Sequence, residues 1–219
     1  MIERCSKPRP GNAPVYRADD PLGLEQAVEL LRAGGLVAFP TDTVYGIGAD
    51  ARRPAAAADI YLAKQRTPEK AIPLLVAGLD DALPFVATVP DAAMALIEAF
   101  WPGGLTLVLP IAAGVPAIIS PGPGIAIRMP NHPTPLTLIR RLGAPLAATS
   151  ANISGGLDPT EARQVLDQLG RRIDLLLDGG RTPGGVASTV VDLTVKPARL
   201  LRAGPISAEQ LREFLPDLA

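Results

Sequence analysis

Thr41, Asp42, Thr43 and Tyr45 follow a short apolar run, residues 36–39, flanked by Gly34-Gly35 and Pro40. That run reads as a buried strand. Open α/β sheets bind ligands beyond the carboxyl ends of their strands, so hydrogen-bonding side chains delivered there are placed to meet a polar ligand. A turn without a ligand uses the same residue types. A second such cluster, Thr149-Ser-Ala-Asn152, follows the small-residue strand 145–148, and extended geometry sends Ser150 and Asn152 to one side. Lys64, Arg66 and Lys70 put three cations within seven residues, just before the apolar strand 72–76. Beside strand exits they would form a phosphate clamp, Lys as a point charge and Arg as a two-pronged donor. Taken alone, the run also fits a solvated turn at a helix end. Arg128 directly follows the strand 125–127, an unusual place for surface filler. Thr, Ser, Asn, Lys and Arg at strand ends suit a reaction run by positioning and by neutralising developing negative charge, as phosphoryl and nucleotidyl transfers are.

Other chemistries find no residues. One cysteine, Cys5, and one histidine, His132, supply neither a metal cluster nor a Ser-His-Asp set, so no metal site is expected. Neither a Gly-x-Ser-x-Gly elbow nor a Gly-x-x-x-x-Gly-Lys-Ser/Thr phosphate loop occurs. His132, between two prolines, reads as incidental, and Phe100 and Trp101 as packing.

The elements that must position these residues follow from the apolar patterning. Helices are expected over 22–31, 55–64, 80–86, 91–100, 135–142, 160–169 (capped by Thr160) and 207–215 (capped by Ser207). Strands are expected over 36–39, 72–76, 105–109, 125–127, 145–148, 173–177, 188–192 and 198–204. The result is an α/β fold, a sheet of seven or so strands in a single domain spanning residues 20–219. Residues 1–19, basic and Pro-rich, read as a loosely ordered N-terminal extension.

With 47% hydrophobic and 20% charged residues the chain is globular. A net charge of −1 leaves no global field for nucleic acid or anionic membrane, and 4% aromatics leave few rings for stacking bases. A lone cysteine fits a reducing cytosol, and the N-terminus lacks the apolar core of a signal peptide. The most apolar stretch, residues 105–119, is broken by Pro110, Gly114 and Pro116, too short to span a bilayer. A cytoplasmic protein without a membrane partner is expected.

Seven segments in order resemble the signatures of the YrdC-type threonylcarbamoyl-AMP synthases: Pro40-Thr-Asp-Thr-Val-Tyr-Gly46, Lys64-Gln-Arg66, Trp101-Pro-Gly-Gly-Leu-Thr106, Ile127-Arg-Met-Pro130, Thr149-Ser-Ala-Asn-Ile-Ser-Gly155, Ser188-Thr-Val-Val-Asp192 and Arg202-Ala-Gly204. The resemblance implies a twisted, mixed sheet with flanking helices around a concave, positively lined cavity. It implies an enzyme that joins L-threonine, bicarbonate or CO2, and ATP into threonylcarbamoyl-AMP and pyrophosphate, with Mg²⁺ assisting. Downstream threonylcarbamoyl transferase proteins then modify a tRNA adenosine. By the same resemblance Lys64, Arg66, Ser150 and Asn152 form the catalytic tetrad on the ATP phosphates, and Arg202 is a further nucleotide contact. Thr41, Arg128 and Ser188 correspond to the threonine-binding groups, Arg128 facing the carboxylate.

Three features depart from the family pattern. Arg66 is followed by Thr67 before Pro68, residues 75–77 lack a histidine that some relatives carry, and the C-terminal domain of longer members is absent. The short form is expected to rely on partner proteins to receive its labile product. Two rivals are a non-catalytic binder of double-stranded RNA or tRNA and a carbamoyl-handling maturation module. The latter normally sits in a larger chain with zinc-finger cysteines.

Overall fold

A computed structural model describes residues 11–68, 71–184 and 186–219. Ten strands join in one sheet: β1 (Val15–Arg17), β2 (Val37–Phe39), β3 (Gly46–Asp50), β4 (Leu74–Leu75), β5 (Leu105–Pro110), β6 (Gly124–Arg128), β7 (Leu146–Ser150), β8 (Leu175–Asp178), β9 (Thr189–Asp192) and β10 (Arg199–Arg202). Their spatial order is β1-β8-β2-β3-β7-β4-β6-β5-β9-β10. The sheet is mixed. The β1/β8, β2/β8, β4/β6 and β5/β9 pairs are parallel and the other five antiparallel.

Among the described residues six helices cover it: α1 (Pro21–Arg32), α2 (Pro54–Lys64), α3 (Asp91–Phe100), α4 (Pro133–Leu142), α5 (Ala162–Leu169) and α6 (Ala208–Arg212). Strand alternation splits the apolar residues between the two faces. Val37 and Phe39, Leu146 and Ala148, and Leu175 and Leu177 pack under α1 and α4. Ala38, Ala147 and Leu176, one position off, face the larger core with α2, α3, α5 and α6.

Local chemistry sets the helix ends. Asp20 caps α1 by accepting from the Leu22 amide, with Pro21 at the first turn. His132 has a role after all: its Nδ1 accepts from the Thr134 amide at the start of α4, and burial lowers its pKa, favouring the neutral ring that accepts. Gly143, at φ 68°, ends α4. The cap of α5 is Glu161, paired with Gln164 in a capping box, and not Thr160. Over residues 80–86 two short 3-10 turns, Leu79–Asp81 and Leu83–Phe85, replace the expected helix.

Two strands were not legible. Gly46-Ile-Gly-Ala-Asp50 has poor strand propensity, yet it is the buried centre of the sheet, paired with β2 and β7. Its glycines make room for Phe39, whose ring would lie 2.9 Å from a Cβ on Gly48. The other is β1. Residues 1–10 lie outside the described residues, but the second half of the expected loose extension is built into the sheet. Val15–Arg17 runs parallel to β8, and Ala13 is buried. No helix among the described residues is long and apolar enough to cross a membrane.

Candidate active site

The strand ends enclose a cavity of about 490 Å³. Of the residues expected to act, Thr41, Arg128, Ser150, Ser188 and Arg202 line it. Lys64 and Asn152 stand behind Ser150, and Arg66 is not part of the lining. Lys70 lies outside the described residues.

The turn after β2 is held by its own hydroxyls. Thr41 Oγ1 donates to the Val44 carbonyl at 2.6 Å and accepts from the Thr43 amide at 3.2 Å. Tyr45, fully buried, donates from its hydroxyl to the Gly180 carbonyl at 2.6 Å and accepts from the Gly179 amide at 3.1 Å. The turn is thereby tied to the loop after β8.

Lys64 closes α2, where Gln65 adopts a left-handed conformation and reverses the chain. Lys64 is 3% exposed, and its ammonium donates to the Ser150 carbonyl, to the Asn152 carbonyl at 2.8 Å and to Asn152 Oδ1 at 2.9 Å. An ammonium has three hydrogens, and the protein takes all three. Burial, seconded by the Arg66 charge, lowers the Lys64 pKa to about 8. Ser150 Oγ donates to the same Asn152 Oδ1 at 2.7 Å, and Asn152 Nδ2 donates to the Gly156 carbonyl at 2.7 Å. Arg66 reaches the Ala71 carbonyl at 3.1 Å, and its guanidinium lies 5.5 Å from the Tyr61 ring centre. The tetrad expected to grip phosphates therefore divides: Ser150 lines the cavity, while Lys64 and Asn152 lock the turn that carries it.

The two cavity arginines are held alike. Arg128 donates from Nε to the Gly103 carbonyl at 3.0 Å and from Nη2 to Asp42 Oδ2 at 2.7 Å. Arg202 donates from Nε to the Ser188 carbonyl at 2.8 Å and from Nη2 to Ser188 Oγ at 2.9 Å. In both, a carbonyl and a side-chain oxygen take one edge of the fork, and Nη1 makes no hydrogen bond among the described residues. Arg202 owes its aim to a bulge: Leu200 pairs with Val191 and Arg202 with Val190, so Leu201 is an extra residue. Partial burial, then the charge of Arg128, lowers the Arg202 pKa. Asp158 is the one acidic residue of the lining, so this concavity favours an anion in a chain of net charge −1.

Asp42, expected as part of the polar cluster, was given no role of its own, and Thr106 was missed as a site residue. Thr106 Oγ1 and Ser188 Oγ lie 2.7 Å apart, both buried. Each stood inside a recognised segment, but only the fold shows what it holds.

The sequence model of the Sua5/YciO/YrdC family, described as telomere recombination, matches residues 29–204. The chain belongs to this family. A relative from Mycobacterium tuberculosis is 42% identical over 194 residues, covering 88% of this chain and 89% of its own. The threonylcarbamoyl-AMP synthase of Bacillus subtilis is 42% identical over 88% of this chain, which spans only 56% of that longer protein. Among solved structures, Pyrococcus abyssi Sua5 complexed with L-threonine superimposes with a TM-score of 0.87 at 38% identity, covering 95% of this chain and 62% of that one.

Proposed function

We propose that this protein is an L-threonylcarbamoyladenylate synthase, a nucleotidyltransferase that forms threonylcarbamoyl-AMP and pyrophosphate from L-threonine, bicarbonate or CO2, and ATP. The observation that carries the reading is the pair of arginines in the cavity, each clamped on one edge and, among the described residues, unbonded at Nη1, beside the hydroxyls of Thr41, Ser150 and Ser188. Family membership and relatives of that name support it.

In this reading the threonine carboxylate meets Arg128, with Thr41 and Ser188 beside it. The triphosphate lies toward Arg202, Ser150 and Arg66, with Lys64 and Asn152 holding the Ser150 turn. The threonine amine adds to CO2, giving a carbamate and releasing a proton. A carbamate oxygen then forms the bond to the α-phosphorus as the bond to pyrophosphate breaks. Charge builds on phosphate oxygens, which is what fixed guanidinium groups stabilise. No covalent enzyme intermediate is required, in keeping with a cavity that offers no activated nucleophile. Among the described residues no cluster of three metal-binding side chains occurs. Mg²⁺ accompanying ATP would be held by its phosphates, with Asp158 the available carboxylate. There it would neutralise phosphate charge. The product serves threonylcarbamoyladenosine modification of tRNA in the cytoplasm, through transferase partners.

The test is pyrophosphate release from ATP, bicarbonate, L-threonine and Mg²⁺, compared with the same mixture lacking threonine. Threonine-dependent release lost in Arg202→Ala is the expected result. Release that ignores threonine, or no release with salt-sensitive binding of double-stranded RNA, overturns the reading in favour of the binding module.

A further inference from the structure

Asp42 carries a charge that the cavity does not use directly. It is not part of the lining, whereas its partner Arg128 is. The two side chains are 10% (Arg128) and 17% (Asp42) exposed and meet at 2.7 Å. Asp42 Oδ1 is shut off from solvent and makes no hydrogen bond among the described residues. A carboxylate buried with one oxygen unsatisfied costs stability, and its compensation here is the single bond to Arg128.

That bond has a geometric consequence. Nε and Nη2 share one edge of the guanidinium plane. The Gly103 carbonyl is aimed at Nε by the bond from the Gly103 amide to the Met129 carbonyl, 2.9 Å. Asp42 takes Nη2. With that edge occupied, the fork left over is Nη1 with the second Nη2 hydrogen. Two parallel N–H donors match the two oxygens of a carboxylate. Arg202 offers the control within the same molecule. Its clamped edge meets the same kinds of atom, except that the side-chain partner is the neutral Ser188 hydroxyl. The charged partner is found at Arg128 alone.

We propose that Asp42 is a positioning residue, fixing Arg128 so that its outer edge takes the α-carboxylate of the amino-acid substrate in two parallel bonds. This deepens the synthase reading and rests on it. Asp42 also balances the Arg128 charge, so that the two arginines stand near each other without the fork turning away.

Calorimetric titration with L-threonine and with L-threoninamide, which lacks the carboxylate, tests the assignment in the wild type and in Asp42→Asn. Asparagine keeps the shape of the side chain and removes its charge. The wild type binds threonine and discriminates against the amide. In Asp42→Asn threonine binding weakens by about tenfold, as expected for a misdirected charge-assisted fork, and the preference over the amide shrinks. The KM for ATP changes less than twofold. If Asp42→Asn does not fold, Asp42→Ser, short and compatible with the turn, carries the same titrations. Unchanged threonine binding and discrimination in the folded variant overturn the positioning role while leaving the synthase reading intact, as does an equal loss for threonine, threoninamide and ATP. A wild type that binds no threonine overturns both.

Discussion

The site holds its cations in two different ways. Lys64 is buried behind Ser150 with every ammonium hydrogen on a protein oxygen. Arg128 and Arg202 are each held by one edge, and among the described residues Nη1 makes no hydrogen bond. A point charge with three hydrogens makes a strut when the chain supplies three acceptors. A planar fork with five donors can be fixed by two and still present others. Residue type explains why one cation braces the turn behind the cavity and the others line the cavity.

This contrast is most easily broken at Lys64. Lys64→Ala removes this donor from the Ser150 and Asn152 carbonyls and leaves Asn152 Oδ1 with Ser150 Oγ as its remaining donor, a loss of about 3 kcal/mol or more in unfolding free energy. Urea denaturation should register it together with loss of pyrophosphate release. Arg202→Ala should do the reverse. It weakens ATP binding by about 10- to 100-fold, the worth of a charge-assisted bond, while unfolding free energy falls by about 1 kcal/mol. Steady-state kinetics beside urea melts separate the two. Equal stability losses at both positions would erase the distinction between strut and contact.

Gly48→Ala is a control away from the charges. Its new Cβ would meet the Phe39 ring at 2.9 Å, in the strand that carries the Thr41 turn's far end. The expected cost is about 1–3 kcal/mol of stability from overpacking, with little change in KM for ATP when the folded fraction is corrected for. A further effect is in pH. The folded Lys64 pKa of about 8 lies below the ordinary lysine value of 10.5. Between those values the unfolded chain binds more protons, so this group makes stability rise with pH from about 8 to 10.5. Urea midpoints compared with Lys64→Met across that window should show the rise in the wild type only.

Part of the site was legible before any fold was known, since polar clusters after apolar runs mark strand ends: Thr41, Ser150 and Arg128 stood out that way, and Ser188 and Arg202 only through the family resemblance. All five line one cavity. Hydrogen-bond partners across the sheet were not legible. Lys64 and Ser150 are 86 positions apart and Asp42 and Arg128 also 86, distances over which no local pattern speaks. Nor did local propensity favour Gly46–Asp50 as a strand. It is one because β2 and β7 pair with it and Phe39 needs the space its glycines leave.

By itself the sequence determined the layers of the fold and the kind of chemistry. The twofold alternation of apolar residues decides which side chains are buried, and Thr, Ser, Asn, Lys and Arg at strand ends point to charge stabilisation. The tertiary structure alone decided which charges remain available to a ligand. Whether a cation is a strut or a contact depends on how many acceptors surround it after folding, and those acceptors are largely backbone carbonyls, which every residue type supplies equally.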